Sequence, residues 1–511
     1  MTTHNDERSE ELSNVTTVGD GGQERVDGIV PLMSGCNNPP EKDCGDPIEP
    51  INVASSDAQT EIESEDLIIE TIKAMKIPAN ELVIYRLFQH FEKEIRDIIQ
   101  RCNHETSTEK FIWKVFEECY KEAVSASGTL NAHDFVDHLK DSSWIWFLDP
   151  DFASQDHAGH YKGERSWVYF WVTILELPSV GPTLFYPQNS SDIDLSSPNT
   201  TPPYLFRVFD WKSSGKNDEE VMASSEYASQ TQTSVVNDLL DMENLKATRL
   251  LSYHIGDKWT RKNDDQDNLV SWTNSLLYAV QYATYRQHRL SLLNTDIKIC
   301  MVQTSQFPQG QFVRDIELLK KYLPIANNLG GEVKRVFNRR LCKQEFYNGE
   351  YFSQGVVNHA GRSCIVSLKQ LEDAGIFRLY PELKNPKDSS GYIRNAIRVC
   401  DLRREWSEEQ TTTEEEISYA LNIAQECFEG FDASDIACIL LGFRNRKLSD
   451  KTKLTINSAP SWANKPVEVG RYWQALDIFK HLQENLGHNV EMRNIYRVTS
   501  SGNRIISRLQ K

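Results

Sequence analysis

The first 62 residues of the chain contain no aromatic residue, and this absence limits where a folded core can begin. Between Met1 and Asp66 there are 16 Asp and Glu residues against 3 Lys and Arg, a net charge of −13. Such a segment cannot bury enough apolar surface to offset the entropy that it would lose on ordering. We therefore predict a disordered acidic tail over residues 1–62 and expect folded structure beyond it.

This segment carries most of the net charge of the 511-residue sequence, which is −18, so the rest of the chain is nearly balanced in charge. Balanced charge argues against a non-specific nucleic-acid binder, which needs a large excess of basic residues. The N-terminus shows no secretory pattern, and the longest uncharged apolar run, 167–175, is about half as long as a membrane span. We expect a soluble intracellular protein of the cytoplasm or nucleus, without a membrane partner.

Helical periodicity begins soon after the tail. Apolar residues recur at spacings of three and four from 82 to 98 and again from 112 to 123. This spacing places them on one face of a helix. The sequence therefore predicts a helical module over 65–150.

Short runs of β-branched and aromatic residues, separated by helical stretches and polar loops, mark the middle of the chain. We predict strands at 167–174, 204–209, 269–273 and 297–302, and a hairpin within 349–367. Strands separated in this way are typical of an α+β domain, which we place at 160–385. An acidic linker is predicted over 386–416 and a helical C-terminal region over 417–511.

The sequence lacks the phosphate-binding loops, nucleophile elbow and zinc motifs that identify many enzymes. The tightest histidine pair, His157 and His160, has no cysteine or carboxylate at ligand spacing, so a polar loop is the better interpretation. His133 and His138 lie among acidic residues and fit a solvated helix face better than a metal site. We predict no metal site.

Three short segments of the central domain carry polar residues in strand contexts. Arg207 lies inside an apolar strand, Ser271-Trp272-Thr273 ends a strand and leads into a helix, and Glu350 opens a late strand. Each has an ordinary structural explanation. A strand arginine is often a paired edge residue, Ser-x-Thr before a helix is often an N-cap, and a glutamate after glycine commonly closes a turn.

The order of these segments resembles an uncharacterised fungal family of domains of unknown function. Its members show an arginine strand, a Ser-Trp-Thr stretch before a helix, and a Glu-Tyr-(Leu/Phe)-Ser-Gln-Gly strand. More distantly, the segment is similar to mono-ADP-ribosyltransferases of the arginine–serine–glutamate type, whose motifs occur in the same order. The resemblance covers a little over a third of the chain. It implies an ADP-ribosyltransferase-like split β-sandwich in the centre, flanked by helical regions.

The resemblance also implies a substrate, NAD, and a role for each motif residue. Cleavage of the nicotinamide–ribose bond passes through an oxocarbenium-like state, so Glu350 would be the catalytic carboxylate that stabilises positive charge on the ribose. Arg207 would hold the phosphate and ribose side of NAD, because a guanidinium suits an anion. Ser271 would orient the glutamate or the ribose, Thr273 would brace the strand, and Asn348 would lie beside the cofactor.

The sequence departs from the enzyme pattern at two positions. Trp272 replaces a small residue and is expected to crowd the cofactor cleft. Asn348 stands where members that modify arginine have a second glutamate and nucleic-acid modifiers have glutamine, which disfavours arginine as the target. The function implied is NAD-dependent transfer of ADP-ribose to a protein or small-molecule target, or NAD hydrolysis. The alternative is a catalytically inactive domain that binds a protein or a nucleotide.

Overall fold

The computed structural model describes part of the chain. The described residues are 69, 81–102, 108–133, 158–176, 182–186, 201–229, 238–256, 267–449, 459–487 and 490–499. The predicted tail, 1–62, lies outside them, and so do His138, His157 and the side chain of His160. All structural statements below concern the described residues.

Antiparallel strands form two sheets in the middle of the chain, and a short parallel pair lies near the C-terminus. The larger sheet has the order β6-β7-β4-β1-β5-β9, the smaller one has the order β2-β3-β8, and β10 pairs with β11. The strands are β1 Tyr204–Phe209, β2 Lys216–Asn217, β3 Val221–Ala223, β4 Leu269–Thr273, β5 Lys298–Gln303, β6 Val313–Arg314, β7 Glu350–Gln354, β8 Val356–Asn358, β9 Ser363–Ser367, β10 Thr412–Thr413 and β11 Val498–Thr499.

Helices precede, cover and follow these sheets. They are α1 Glu81–His90, α2 Glu92–Cys102, α3 Thr108–Val124, α4 Ala158–Leu175, α5 Ser225–Ser229, α6 Asn244–Ile255, α7 Leu276–Leu290, α8 Asp315–Leu329, α9 Gly331–Cys342, α10 Leu368–Ala374, α11 Ile376–Leu379, α12 Asn395–Glu405, α13 Glu414–Cys427, α14 Ala433–Leu441, α15 Val467–Leu486 and α16 Met492–Ile495. None of these helices is long and apolar enough to cross a membrane.

Two groups of helices cover the larger sheet. Helix α7 packs on β1, β4 and β5, while α8 packs on β6 and β7 and against α6 and α9. Ser275 is the N-cap of α7, and its hydroxyl accepts a hydrogen bond from the Tyr278 amide at 3.0 Å. This N-cap follows β4 after a single intervening residue, so it fixes where the strand ends and the helix starts.

The N-terminal helices have an apolar core of their own, and they contact the central sheet region through polar side chains. Tyr120 on α3 donates to the Gln309 carbonyl at 2.7 Å, and Arg362 donates to the buried carboxylate of Glu117 at 2.6 Å. The C-terminal helices join the sheet more directly, because one apolar cluster contains both β1 and α15 side chains. The described residues accordingly form one compact unit.

Three sequence predictions differ from the structure. Residues 167–174, predicted as a strand, are helical, and α4 buries Trp167 and Trp171. The prediction failed because an uncharged apolar run has no period that would distinguish a buried strand from a buried helix. The predicted hairpin is wrong, since β7 pairs with β4 and β6, β8 with β3, and β9 with β5. The range predicted as a linker contains α12, which contributes buried Val399 and Leu402 to the core.

Helix α15 offers a test of how the C-terminal region is stabilised. Leu476 is 7% exposed and belongs to the same apolar cluster as the sheet. Leu476→Asp should lower the free energy of unfolding by several kcal/mol, about 3 or more, because it buries an unpaired carboxylate. Exposed Gln474 on the same helix provides the control, and Gln474→Asp should change little. Equal stability of the two variants in urea denaturation would make this helix face an interaction surface instead.

Candidate functional site

The three motif segments lie on three adjacent strands of the larger sheet. Thr273 on β4 is in register with Phe206 on β1 and with Glu350 on β7. Neighbouring strands are about 4.8 Å apart, so the segments lie within about 10 Å of one another across the sheet. Ser271 shares a face with Thr273 and Glu350, since side chains alternate along a strand. We refer to Arg207, Ser271, Thr273, Asn348 and Glu350 as the candidate site.

Arg207 reaches the candidate site from the other side of the sheet. It follows Phe206 by one residue, so its side chain starts on the opposite face. Its Nη1 nevertheless donates to the Ser271 carbonyl at 2.9 Å, and its Nε donates to Asn217 Oδ1 at 2.9 Å. The guanidinium is therefore held by two neutral oxygens, one of them in the backbone of the strand that carries Ser271.

The charge of Arg207 has no counter-ion among the described residues. No Asp or Glu carboxylate there pairs with it, and its Nη2 makes no hydrogen bond to them. Burial lowers the pKa of Arg207 to about 10, while nearby Tyr282 and Asp267 act in the opposite direction. An arginine that remains charged in such surroundings is suited to bind an anion.

Ser271 is hydrogen-bonded to His254, which in turn is hydrogen-bonded to Asp267, and the sequence singled out neither residue. Its hydroxyl lies 2.7 Å from Nε2 of His254 on α6. Nδ1 of His254 lies 2.8 Å from each carboxylate oxygen of Asp267, which stands just before β4. The spacing of these residues, 13 and 4 apart along the chain, matches no local motif, so only the fold reveals the arrangement.

Thr273 and Asn348 hold the turn that precedes Glu350. The Thr273 hydroxyl donates to the Asn348 carbonyl at 2.6 Å and accepts from the Ser275 amide at 3.1 Å. Gly349 has φ 68°, and a Cβ built there would lie 1.7 Å from Oδ1 of Asn274. Only glycine fits this turn without movement of its neighbours, so β7 enters the sheet at a fixed point.

Glu350 forms an ion pair with Arg340 on α9. Nε of Arg340 also donates to Asp315 at 2.8 Å, and Asp315 accepts a hydrogen bond from the Tyr347 hydroxyl at 3.1 Å. The Glu350 side chain stays 23% exposed, so part of it faces solvent despite the pair. Arg340 could not be identified as a partner from the sequence, because it lies on a separate helix.

A stripe of tyrosines on α7 runs alongside these charges. Tyr278 stacks on Tyr282 with ring centroids 5.9 Å apart, Tyr282 stacks on Tyr285 at the same spacing, and all three are half-buried. Burial raises the pKa of Tyr278 to about 12, and Arg340 is close enough to oppose the shift. Tyr282 in turn acts to raise the pKa of Arg207, so the stripe lies near both arginines.

The C-terminal region supports the candidate site from behind. Arg403 on α12 donates to the Tyr347 carbonyl at 3.1 Å and to Asn348 Oδ1 at 3.2 Å. It also binds both carboxylate oxygens of Glu468 on α15, at 2.8 and 3.0 Å. Glu468 in turn accepts from the Ser275 hydroxyl at 2.5 Å. Arg403 and Glu468 thus hold both the turn that precedes Glu350 and the N-cap of α7.

The expected crowding by Trp272 does not occur on the face of Ser271. Trp272 points to the other face, where its indole donates to the Ser353 hydroxyl at 2.9 Å and packs edge-on against Phe312. It is a buried core residue. Alternation along β4 explains the difference, because the residue between Ser271 and Thr273 must point away from both.

In the described part of the chain, no group of His, Cys, Asp and Glu side chains could hold a metal ion. Comparisons with known proteins point to the same stretch as the motif segments. A family model named Domain of unknown function (DUF7587) matches residues 200–355. The match confirms the expected uncharacterised domain and contains every residue of the candidate site. No curated protein and no solved structure matches the chain.

Proposed function

We propose that the candidate site binds NAD and cleaves its nicotinamide–ribose bond, passing ADP-ribose to a protein or small-molecule acceptor or to water. The observation that carries this proposal is the placement of Arg207, Ser271 and Glu350 on adjacent strands β1, β4 and β7. The fold belonging to this function would be the ADP-ribosyltransferase-like split β-sandwich implied by the motif order.

Arg207 supplies the anion-binding group. A half-buried guanidinium whose Nη2 has no hydrogen bond to the described residues gains most from a ligand that brings negative charge, and the pyrophosphate of NAD does so. The half-buried tyrosine stripe adds flat aromatic surface next to this cation. Such surface suits the planar bases of NAD, which stack on aromatic rings.

Glu350 supplies the negative charge. A carboxylate that accepts a hydrogen bond from the ribose 2′-hydroxyl stabilises the oxocarbenium-like transition state more than the ground state. The ion pair with Arg340 holds this carboxylate in place, and one oxygen would have to turn to the ribose. Thr273 and Asn348 position the turn before it, and the short amide of Asn348 disfavours arginine as the acceptor.

The alternative function is a catalytically inactive domain that binds a nucleotide or a protein. The ion pair between Glu350 and Arg340 favours it, because a carboxylate neutralised by a guanidinium is less available to a ribose. In that case Arg207, which forms no ion pair with the described residues, and the tyrosine stripe would still bind an anionic aromatic ligand, and no bond would break.

Nicotinamide release from NAD by the full-length protein distinguishes these functions. Chromatographic detection of nicotinamide above the spontaneous rate supports the enzyme. Saturable NAD binding without release supports the inactive domain. If the folded protein neither binds NAD nor releases nicotinamide, NAD has no place in its function.

A further inference from the structure

A serine, a histidine and an aspartate form a hydrogen-bonded series beside the centre of the sheet. The distances are 2.7 Å from Ser271 Oγ to His254 Nε2 and 2.8 Å from His254 Nδ1 to each oxygen of Asp267. The His254 and Asp267 side chains are each 1% exposed, whereas Ser271 is only half-buried. Ser271 is therefore the member of the series that a ligand can reach.

Asp267 sets the tautomer of His254. A carboxylate only accepts hydrogen bonds, so neutral His254 donates from Nδ1 and keeps a lone pair on Nε2. The Ser271 hydroxyl then donates to that lone pair. Asp267 itself accepts a hydrogen bond from the Leu269 amide at 3.1 Å. The imidazole of His254 packs edge-on against Phe352, with the ring centroids 4.8 Å apart. The base is thus held in one orientation.

We propose that Ser271 is a nucleophile activated by His254 and Asp267, and that it hydrolyses acyl esters. A nucleophile within hydrogen-bond reach of a base, with that base oriented by a third group, is the arrangement that covalent acyl transfer requires. The activity does not depend on the proposed reaction with NAD, because it needs neither Glu350 nor a nucleotide.

The chemistry balances with water as the only co-reactant. Ser271 Oγ attacks the ester carbonyl carbon while its proton passes to His254 Nε2. The carbon–oxygen bond to the alcohol breaks, and His254 returns the proton to the leaving oxygen. Water then attacks the acyl-serine with His254 as base, which releases the acid and restores Ser271. No group is oxidised or reduced.

Arg207 supplies positive charge for the oxyanion of this reaction. Its guanidinium donates to the backbone carbonyl of Ser271, next to the strand position that carries the nucleophile, and its Nη2 makes no hydrogen bond to the described residues. A donor directed at charge that develops in the transition state lowers the barrier more than it aids binding.

A second serine–histidine pair in the same protein serves as an internal control. His359 Nδ1 lies 2.7 Å from the Ser363 hydroxyl, but His359 Nε2 is buried and has no side-chain hydrogen bond to the part of the chain that the structure describes. Burial lowers the pKa of His359 to about 4. No carboxylate of the described residues is hydrogen-bonded to this imidazole, so the pair has the distance of the Ser271 series and lacks its orienting group.

The test is the reaction of the full-length protein with a biotinylated fluorophosphonate, followed by peptide mapping. Labelling forms a bond from serine oxygen to phosphorus and expels fluoride, so it reports an activated serine without any knowledge of the substrate. We expect one adduct, on Ser271. Ser271→Ala should abolish it, and His254→Gln should slow it by about 100-fold or more, the usual contribution of a general base. Ser363→Ala should leave it unchanged.

Circular dichroism melts must first show that the variants are folded. The wild type alone is already decisive, because the adduct either maps to Ser271 or does not. An unlabelled native protein, an adduct on another serine, or a labelling rate that folded His254→Gln does not change would overturn the proposal.

Discussion

Glu350→Gln is expected to lower the rate of nicotinamide release from NAD by about 100- to 1000-fold. Glutamine keeps the shape of the side chain and much of its hydrogen-bonding capacity but removes the negative charge. That charge matters mainly when the ribose becomes cationic, so NAD affinity should change much less than turnover. Turnover and calorimetric affinity, measured on the same preparations, check both parts of this expectation.

Glu345 is the matched control for this substitution. It lies five residues earlier in the chain and is exposed, so Glu345→Gln removes the same charge without touching the candidate site. Its turnover should equal that of the wild type. Similar losses in the two variants would show that overall charge, and not Glu350, accounts for the effect.

The second large effect concerns stability. Arg403→Met should reduce the free energy of unfolding by about 3–5 kcal/mol, because it leaves the buried carboxylate of Glu468 without its cation. Arg403 and Glu468 are 10% and 3% exposed, and the guanidinium binds the carboxylate through two nitrogens. The turn at Asn348 also loses a donor. Urea denaturation followed by tryptophan fluorescence measures the change.

Arg335→Met is the control for this prediction. Arg335 is 75% exposed and pairs with Glu332 on the surface of α9, so its loss should cost about 0–1 kcal/mol. A double variant, Arg403→Met with Glu468→Met, should recover part of the lost stability, because it removes the unpaired charge. A single variant as stable as the wild type would mean that water already solvates Glu468.

Local sequence patterns predicted the strands of the candidate site, because these strands are short runs of residue types that favour β structure. The run 204–209 coincides with β1, and the segment ending in Ser271-Trp272-Thr273 coincides with β4. The pairing of strands was less predictable. Gly355, with φ 56°, separates β7 from β8, and the two strands then join different sheets. A hairpin prediction assumes that neighbours in sequence pair, and here they do not.

The charged environment of the site could not be predicted from sequence. His254, Asp267 and Arg340 come from a helix, a loop and another helix, and Arg403 lies 55 residues beyond Asn348. Long-range contacts of this kind leave no periodic signal in one sequence. Since Arg403 contacts Asn348 from outside the matched family segment, 200–355, that segment is only part of the unit that positions the candidate site.

The most direct test of the central claim is calorimetric titration of the full-length protein with NAD, with Arg207→Ala beside the wild type. The wild type should bind NAD, and Arg207→Ala should bind at least about tenfold more weakly, as expected for loss of a charge-assisted hydrogen bond. Arg335→Ala, which removes an exposed arginine, should bind as the wild type does. NAD binding that Arg207→Ala leaves unchanged, or no binding by the folded wild type, would contradict the assignment of this site.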